Sequence, residues 1–343
     1  MHAPATSAPP AFSGPALLDV RDLCITLPTA RGPGHALRHV SFTLERGATL
    51  GLIGESGCGK SMTALAVLGL LPAGAEATGS IRLNGQELLG LADAAMCRVR
   101  GNRIGMVFQE PMTALNPLHT VGAQIAEPLR LHRGLGAEAA RAEALRLLER
   151  VRMPQAHARL GAYPHQLSGG QRQRVTIAIA LACGPELLIA DEPTTALDAT
   201  LQGEILGLID DLVRESGMGL VLISHDLGVM ARHVRRLLVM YGGAGVEAGP
   251  AERVFAAPAH PYTRGLVAAR PSLAAARVGG RKPRLVTIPG RVPELADVPP
   301  GCPFADRCGW ALGACRTALP AFEPLAPGHA ARCIRLHELD WAA

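Results

Sequence analysis

The chain has 343 residues, more than an average single domain, and 48% of them are hydrophobic, which is enough for a large buried core. Aromatic residues make up only 3%, and the net charge of +5 comes from scattered basic residues. This composition argues against a base-stacking surface and against a polybasic tract for nucleic acid or lipid head groups. We therefore expect no nucleic-acid partner.

We expect no export signal at the beginning of the chain. Residues 1–15 are rich in Ala, Pro and Ser but lack a basic start and an apolar core, so we predict a disordered tail. The longest apolar stretch, near residues 64–71, is far below the ~20 residues that a membrane-spanning helix needs. These features predict a cytoplasmic chain, which can still dock on a membrane protein.

Apolar runs and turn residues predict strands that alternate with helices. Asn84-Gly85 indicates a hairpin turn near a sheet edge, and apolar residues at helical spacing indicate helices at residues 137–151 and 199–215. The predicted strands are residues 17–26, 39–44, 48–53, 81–83, 104–108, 187–190 and 220–223, the first two joined by a Pro/Gly loop. This order predicts an α/β fold with a mainly parallel sheet.

Changes in composition along the chain also predict its domains. One large domain is expected at residues 16–268, with a helical insertion at about residues 110–183. A Pro-, Gly- and Arg-rich stretch at residues 269–289 indicates the boundary of a small C-terminal module, residues 269–343, which carries four of the eight cysteines.

One short run predicts the chemistry. Gly54-Glu55-Ser56-Gly57-Cys58-Gly59-Lys60-Ser61 reads G-x-x-x-x-G-K-S, directly after an apolar strand and before a helix-like segment. Glycines let backbone N–H groups converge on phosphate oxygens, and the helix start adds its positive dipole end. Lys60 can reach the β- and γ-phosphates, and the Ser61 hydroxyl can ligate Mg²⁺. The run predicts a site for a nucleoside triphosphate.

Two acids follow a second buried strand. Asp191 and Glu192 end the apolar run at residues 187–190, at the edge where parallel sheets place ligands. Asp191 is suited to hold Mg²⁺, and Glu192 could orient or deprotonate an attacking water. The alternative is a pair of solvated acids that open a loop.

A second anion site is predicted where Leu167-Ser168-Gly169-Gly170-Gln171 begins a helix, because helix starts attract anions. One nucleotide does not need two such sites in one subunit, which suggests that this one serves the nucleotide of another subunit.

Together these motifs resemble those of ATP-binding cassette (ABC) ATPases. Six elements match in order: the phosphate loop, Gln109 after its strand, the run at 167–171, Asp191-Glu192, the D-loop Ala196-Leu197-Asp198, and His225 at a strand end. The resemblance implies a P-loop NTPase fold of the ABC type, with an antiparallel edge subdomain and a helical insertion. It also implies a head-to-tail dimer around two ATP molecules.

The resemblance implies a role for each matching position. Glu192 would be the general base, His225 would contact the γ-phosphate, and Gln109 would sense Mg²⁺ and the helical insertion. ATP in the same subunit would be bound by Asp191 and by Gly54, Glu55, Ser56, Gly57, Cys58, Gly59, Lys60, Ser61 and Met62. Mg²⁺ would be held by Ser61, Gln109 and Asp191. Ser168, Gly169 and Gly170 would close on the partner's ATP, and Gln171 and Asp198 would also belong to the nucleotide-binding residues.

Residues 189–198 are most similar to the dipeptide/oligopeptide "D" type of importer ATPase. Other runs resemble the ATPases of oligopeptide, dipeptide and nickel importers. They are residues 109–117, Tyr163-Pro164-His165-Gln166, His260-Pro261-Tyr262-Thr263 and residues 301–308. The likeness implies two integral-membrane permease subunits, a second ATPase subunit (a paralogue or a second copy) and, indirectly, an extracytoplasmic solute-binding protein. It implies a peripheral location on the cytoplasmic face of the inner membrane. The alternative is a soluble ABC-type ATPase without a permease, acting on ribosomes or DNA.

The terminal cysteines Cys302, Cys308, Cys315 and Cys333 are spaced C-x₅-C-x₆-C-x₁₇-C. Four thiolates in a reducing compartment can hold zinc or a [4Fe–4S] cluster, and some peptide-importer ATPases carry such a cluster at the matching positions. Three alternatives therefore remain open for these cysteines: they bind a [4Fe–4S] cluster, they bind zinc, or they are unliganded core residues.

Two departures from the family pattern stand out. ABC ATPases usually stack adenine on an aromatic residue after the first strand, yet no aromatic residue lies between Phe12 and Phe42. We expect adenine to rest on aliphatic surface or on the stem of an arginine such as Arg31. The glycines of Tyr241-Gly242-Gly243-Ala244-Gly245 are expected to weaken a local strand.

Overall fold

The computed structural model describes residues 15–195, 197–269 and 287–338, except for the side chains of residues 111 and 112. The predicted tail, apart from residue 15, lies outside these ranges. So do D-loop residue Ala196 and most of the predicted boundary of the C-terminal module.

The first sheet is antiparallel and has the strand order β2-β1-β4-β5. Its strands are β1 (Ala16–Thr29), β2 (Gly32–Glu45), β4 (Glu76–Leu83) and β5 (Gln86–Glu87). The hairpin of β1 and β2 is longer than predicted, because the pairing continues to Thr29 and Gly32 through the expected Pro/Gly loop. The turn at Asn84-Gly85 is confirmed.

The second sheet has the order β11-β12-β10-β9-β3-β8-β7-β6. The five strands from β9 to β6 are parallel, and the other three are antiparallel. The strands are β3 (Thr49–Ile53), β6 (Ile104–Val107), β7 (Leu187–Asp191), β8 (Gly219–Ile223), β9 (Arg236–Tyr241), β10 (Ala244–Pro250), β11 (Glu323–Ala326) and β12 (His329–Ala331). Every residue of β7 and β8 is buried, which explains why both strands are apolar apart from Asp191 at the end of β7.

Helices connect the parallel strands and form the insertion between β6 and β7. They are α1 (Lys60–Val67), α2 (Asp93–Met96), α3 (Pro111–Ala114), α4 (Val121–Arg133), α5 (Ala137–Arg150), α6 (Ala156–Arg159), α7 (Gly169–Leu181), α8 (Ala199–Ser216), α9 (Leu227–His233), α10 (Ala251–Ala256) and α11 (Pro261–Ala268). None of the helices in the described ranges combines the length and hydropathy needed to cross a bilayer.

The end of the chain, residues 287–338, is called the C-terminal extension below. It is joined to the large domain through the second sheet, since β12 pairs with β10 and β11 pairs with β12. The boundary at residue 269 stays a prediction.

The glycine run was expected to weaken a strand, and for Gly242 and Gly243 this expectation is wrong. They form the two-residue turn between β9 and β10, with φ of 51° and 78°. Backbone in this left-handed region suits glycine and matches the twist of a tight hairpin. The turn also supports the phosphate loop, because the Gly243 N–H donates to the Cys58 carbonyl at 3.3 Å.

Candidate nucleotide site

The phosphate loop connects β3 to α1 at the carboxyl end of the parallel sheet. Its first glycine, Gly54, has φ of 153°, and a Cβ there would lie 2.2 Å from the Met240 carbonyl oxygen. The loop therefore needs glycine at this point so that it can turn closely against β9.

Lys60 is buried at the start of α1, with 6% of its surface exposed. Its Nζ donates to the loop carbonyls of Gly54 at 2.8 Å and Glu55 at 3.1 Å. Burial also raises the pKa of the neighbouring Cys58 thiol, against the influence of the lysine. The amino group of Lys60 therefore lies inside the loop where phosphates are expected.

Asp191 ends β7 and is only 5% exposed. Its Oδ1 is buried and has no hydrogen-bond partner within the described part of the chain. Burial raises the pKa of this carboxyl, while a hydrogen bond from Ser61 opposes the rise. A buried, unpaired carboxylate oxygen beside a hydroxyl fits the oxygen ligands that Mg²⁺ prefers, so these two residues fit the predicted cation site.

Glu192 joins three side chains from separate segments. Its Oε2 accepts from Gln109 Nε2 at 3.2 Å and from Thr195 Oγ1 at 2.9 Å, and its Oε1 lies 3.2 Å from His225 Nδ1. Its backbone is left-handed, with φ of 46°. The structure therefore brings together the three predicted catalytic residues and adds Thr195, which sequence reasoning missed.

The second predicted anion site begins α7. Ser168 caps this helix: its Oγ accepts from the Gln171 N–H at 3.3 Å, and its own N–H donates to Gln171 Oε1 at 3.1 Å. This capping box gives Gln171 a structural role at the helix start. Ser168 and Gly169 are exposed, so the helix start can be approached by another molecule. Asp198 caps α8, where its Oδ1 accepts from the Thr200 and Leu201 N–H groups.

The C-terminal extension contacts the phosphate loop directly. Arg307, whose side chain is 6% exposed, donates to Glu55 Oε2 at 2.8 Å and to the Tyr241 hydroxyl at 3.1 Å. From α11, the Tyr262 hydroxyl accepts the Glu55 N–H at 2.8 Å. Glu55 is thus held through its backbone and its carboxylate. Sequence spacing contained no signal for these contacts, although Tyr262 and Arg307 lie in the runs that resemble peptide importers.

Behind Arg307 lies a pocket lined by all four terminal cysteines, together with His260, Phe304 and Trp310. All four are free thiols. Burial raises the pKa of Cys302 to about 12, and it also raises the pKa of Cys308 and of Cys333. The thiols that are far apart in sequence therefore face one common space, as a shared ligand set requires.

Comparison with known proteins agrees with this arrangement. The description "ABC transporter" matches residues 37–195, and "Oligopeptide/dipeptide transporter, C-terminal region" matches residues 246–315. A Brucella melitensis protein described as a peptide import ATP-binding protein is 49% identical over 331 residues, covering 94% of this chain and 98% of that protein. The chain belongs to the ABC transporter family.

Two further matches concern this family. The oligopeptide transport ATP-binding protein OppD of Haemophilus influenzae is 48% identical over 302 residues, covering 88% of this chain and 92% of OppD. An ATP-binding cassette solved as a dimer in a post-hydrolysis state with ADP and Pi superimposes with a TM-score of 0.61 and 29% identity. The superposition covers 68% of this chain and 98% of the solved chain. The ABC ATPase fold predicted from the motifs is thereby confirmed.

Proposed function

We propose that this chain is the ATP-hydrolysing subunit of an ABC importer for peptides or a related small solute. The observation that carries the proposal is the set of contacts around Glu192, which joins Gln109, Thr195 and His225 at the sheet edge that also carries the phosphate loop. Relatives named for peptide import and for oligopeptide transport support the substrate class. Dipeptides, longer peptides and nickel chelates are the candidates.

In the proposed reaction, the phosphate loop and Lys60 bind the triphosphate. Ser61, Asp191 and Gln109 would hold Mg²⁺, which neutralises phosphate charge when bound. The Glu192 carboxylate accepts a proton from the attacking water. Gln109, Thr195 and His225 act by fixing the position of this carboxylate.

The start of α7 is proposed to serve a second cassette. Ser168 and Gly169 are exposed at this helix start, which supports an anion site at a helix N-terminus. Gly170, Gln171 and Asp198 would complete the surface that closes on the partner's ATP. The partner is a second copy of this chain or a paralogue. A cassette of the same fold, solved as a dimer with ADP and Pi, supports this arrangement.

The remaining partners follow from the importer proposal. Two integral-membrane permease subunits would receive the motion of the helical insertion, α3 to α7, at the cytoplasmic face of the inner membrane. An extracytoplasmic solute-binding protein would act on those permeases. The transported solute would be selected outside this chain.

We also propose that the cysteine pocket holds a [4Fe–4S] cluster. The proposal is supported by the four terminal cysteines, which line one pocket although they are spread over residues 302–333 of the chain. Such a group would serve as a structural cross-link for a module with little core of its own.

Purification from native membranes tests the proposed function. The tagged chain, extracted in mild detergent, is expected to bring down two multi-span permeases and a second ATPase subunit. Its ATP hydrolysis is expected to rise when solute-loaded binding protein is added, and the Glu192→Gln variant should assemble without hydrolysing ATP. Recovery of ribosomes or DNA instead of permeases would support the soluble alternative.

A further inference from the structure

A cavity lies beside the phosphate loop, and the C-terminal extension forms one of its walls. The cavity measures about 520 Å³ and is bounded by Ser56 and Gly57 of the loop, by residues 29–31 at the tip of the β1–β2 hairpin, and by residues 292–296. Pockets of roughly 300–1,000 Å³ are typical for small-molecule ligands. Because the loop binds phosphates, the cavity beside it is placed to receive the rest of a nucleotide.

The extension is fastened to the hairpin tip by charged hydrogen bonds. Arg31 Nη1 and Nη2 donate to the two carboxylate oxygens of Asp297 at 3.1 and 2.9 Å. Nη2 also donates to Glu294 Oε2 at 2.5 Å. A two-point guanidinium–carboxylate contact fixes orientation as well as distance. The plane of the Arg31 guanidinium is therefore held at the cavity by the extension.

Apolar packing holds the same wall from a second side. Leu295 lies against β2 at Gly34, where a Cβ would come within 2.9 Å of Leu295 Cβ. Arg38, also on β2, donates to the Pro299 and Pro300 carbonyls at 2.7 and 2.5 Å. Any larger residue at position 34 would push the wall away from the hairpin. The wall is thus positioned by β2.

The chemistry of the wall suits a flat base. Val292, Pro293, Leu295 and Ala296 present aliphatic surface to the cavity, and Arg31 adds a planar cation. Nucleobases stack on guanidinium planes as well as on aromatic rings, and no Phe, Tyr or Trp lies between Phe12 and Phe42. We propose that the C-terminal extension builds the nucleobase subsite, with the purine of ATP packed between Leu295, Val292 and Arg31. This inference rests on the proposed ATP binding.

Binding of ATP can be compared with binding of inorganic tripolyphosphate, which has the phosphates without a base. We expect Leu295→Ala and Arg31→Ala in the full chain each to weaken ATP binding about fivefold, with unchanged tripolyphosphate affinity. Arg316→Ala is the matched control, because Arg316 forms an exposed ion pair with Asp306 in the same extension but does not line the cavity. It should bind both ligands like the wild type.

Three other outcomes count against the inference. If both variants bind ATP with wild-type affinity, the base is bound elsewhere. If ATP and tripolyphosphate weaken equally, the variants act on the phosphate loop and the wall has no contact with a base. Unchanged tripolyphosphate affinity also reports that the variant is folded. If the wild type binds neither ligand, the proposed ATPase function itself fails.

Discussion

The nucleotide site and the cysteine pocket are neighbours that are built in opposite ways. Around Glu192, the functional side chains already hydrogen-bond one another, and the phosphate loop packs closely against β9 at Gly54. The pocket instead gathers thiols from four separate points along the extension. A single segment, residues 302–308, serves both, since it supplies two of the cysteines and also Arg307, which holds Glu55.

The two regions should therefore respond differently to mutation. A single side chain in the nucleotide site carries chemistry, so its loss should abolish turnover while the fold survives. A change in the extension should act on the nucleotide site only through contacts such as that of Arg307 with Glu55.

Glu192→Gln is expected to have the largest effect. It keeps the size and a hydrogen-bonding oxygen but removes the proton acceptor, so turnover should fall at least about a hundredfold with ATP binding retained. Steady-state hydrolysis and equilibrium ATP binding measure the two quantities. Thr195→Val is the companion variant, since it removes one of the hydrogen bonds that hold Glu192 and should slow turnover less. Wild-type turnover of Glu192→Gln would remove this residue from its proposed role.

Arg307→Met should damage the link between the two regions. It leaves the Glu55 carboxylate without its nearly buried partner, which is expected to cost about 2 kcal/mol of unfolding free energy and to weaken ATP binding severalfold. Adding Glu55→Gln should restore part of that stability, because the uncompensated charge is then gone. Urea unfolding and ATP titration of the single and double variants measure this. Equal ATP affinity of wild type and Arg307→Met would mean that the extension does not support the loop.

Cys308→Ser and Cys333→Ser test the pocket itself. Protein purified without oxygen should contain iron and absorb broadly near ~400 nm, and both variants should lose this signal. Cys97→Ser is the control, because Cys97 is exposed and lies outside the pocket. A colourless wild-type preparation without iron or zinc would reject both the iron–sulfur and the zinc hypothesis. The four cysteines would then be unliganded core residues.

The smallest effect concerns acid stability. Burial lowers the pKa of His260 to about 4, although Glu247 opposes this. An unfolded histidine titrates near ~6.5, so the unfolded chain binds this proton first and stability is lost as the pH falls from about 6.5 to 4. Between pH 7.5 and 5.5 the loss should be about 1 kcal/mol. His260→Asn keeps an acceptor for the Tyr262 N–H and should remove that part of the urea-midpoint change; an unaltered pH dependence would contradict the assignment.

Much of the fold and of the nucleotide site could be predicted because their signals are local. The phosphate loop, the acids after β7 and the start of α7 are each encoded in a few adjacent residues with a definite backbone geometry. Tyr262 and Arg307 could not be predicted, because their contacts with Glu55 span 207 and 252 residues of sequence. The prediction for Gly242-Gly243 was wrong because glycine weakens a strand but favours a hairpin turn. Local sequence does not decide between a weakened strand and a turn.

We propose that ATP is hydrolysed between two cassettes, and the sharpest test of this proposal is to mix two inactive variants. Lys60→Ala removes the loop cation, and Gly169→Asp adds negative charge at the start of α7, where a Cβ meets only ordinary contact with Leu197 at 3.6 Å. Each variant alone should be inactive, whereas the mixture should hydrolyse ATP. One of the two nucleotide sites in a mixed dimer combines the intact loop of the Gly169→Asp subunit with the intact α7 of the Lys60→Ala subunit. A monomeric Gly169→Asp protein that hydrolyses ATP at the wild-type rate would contradict the account.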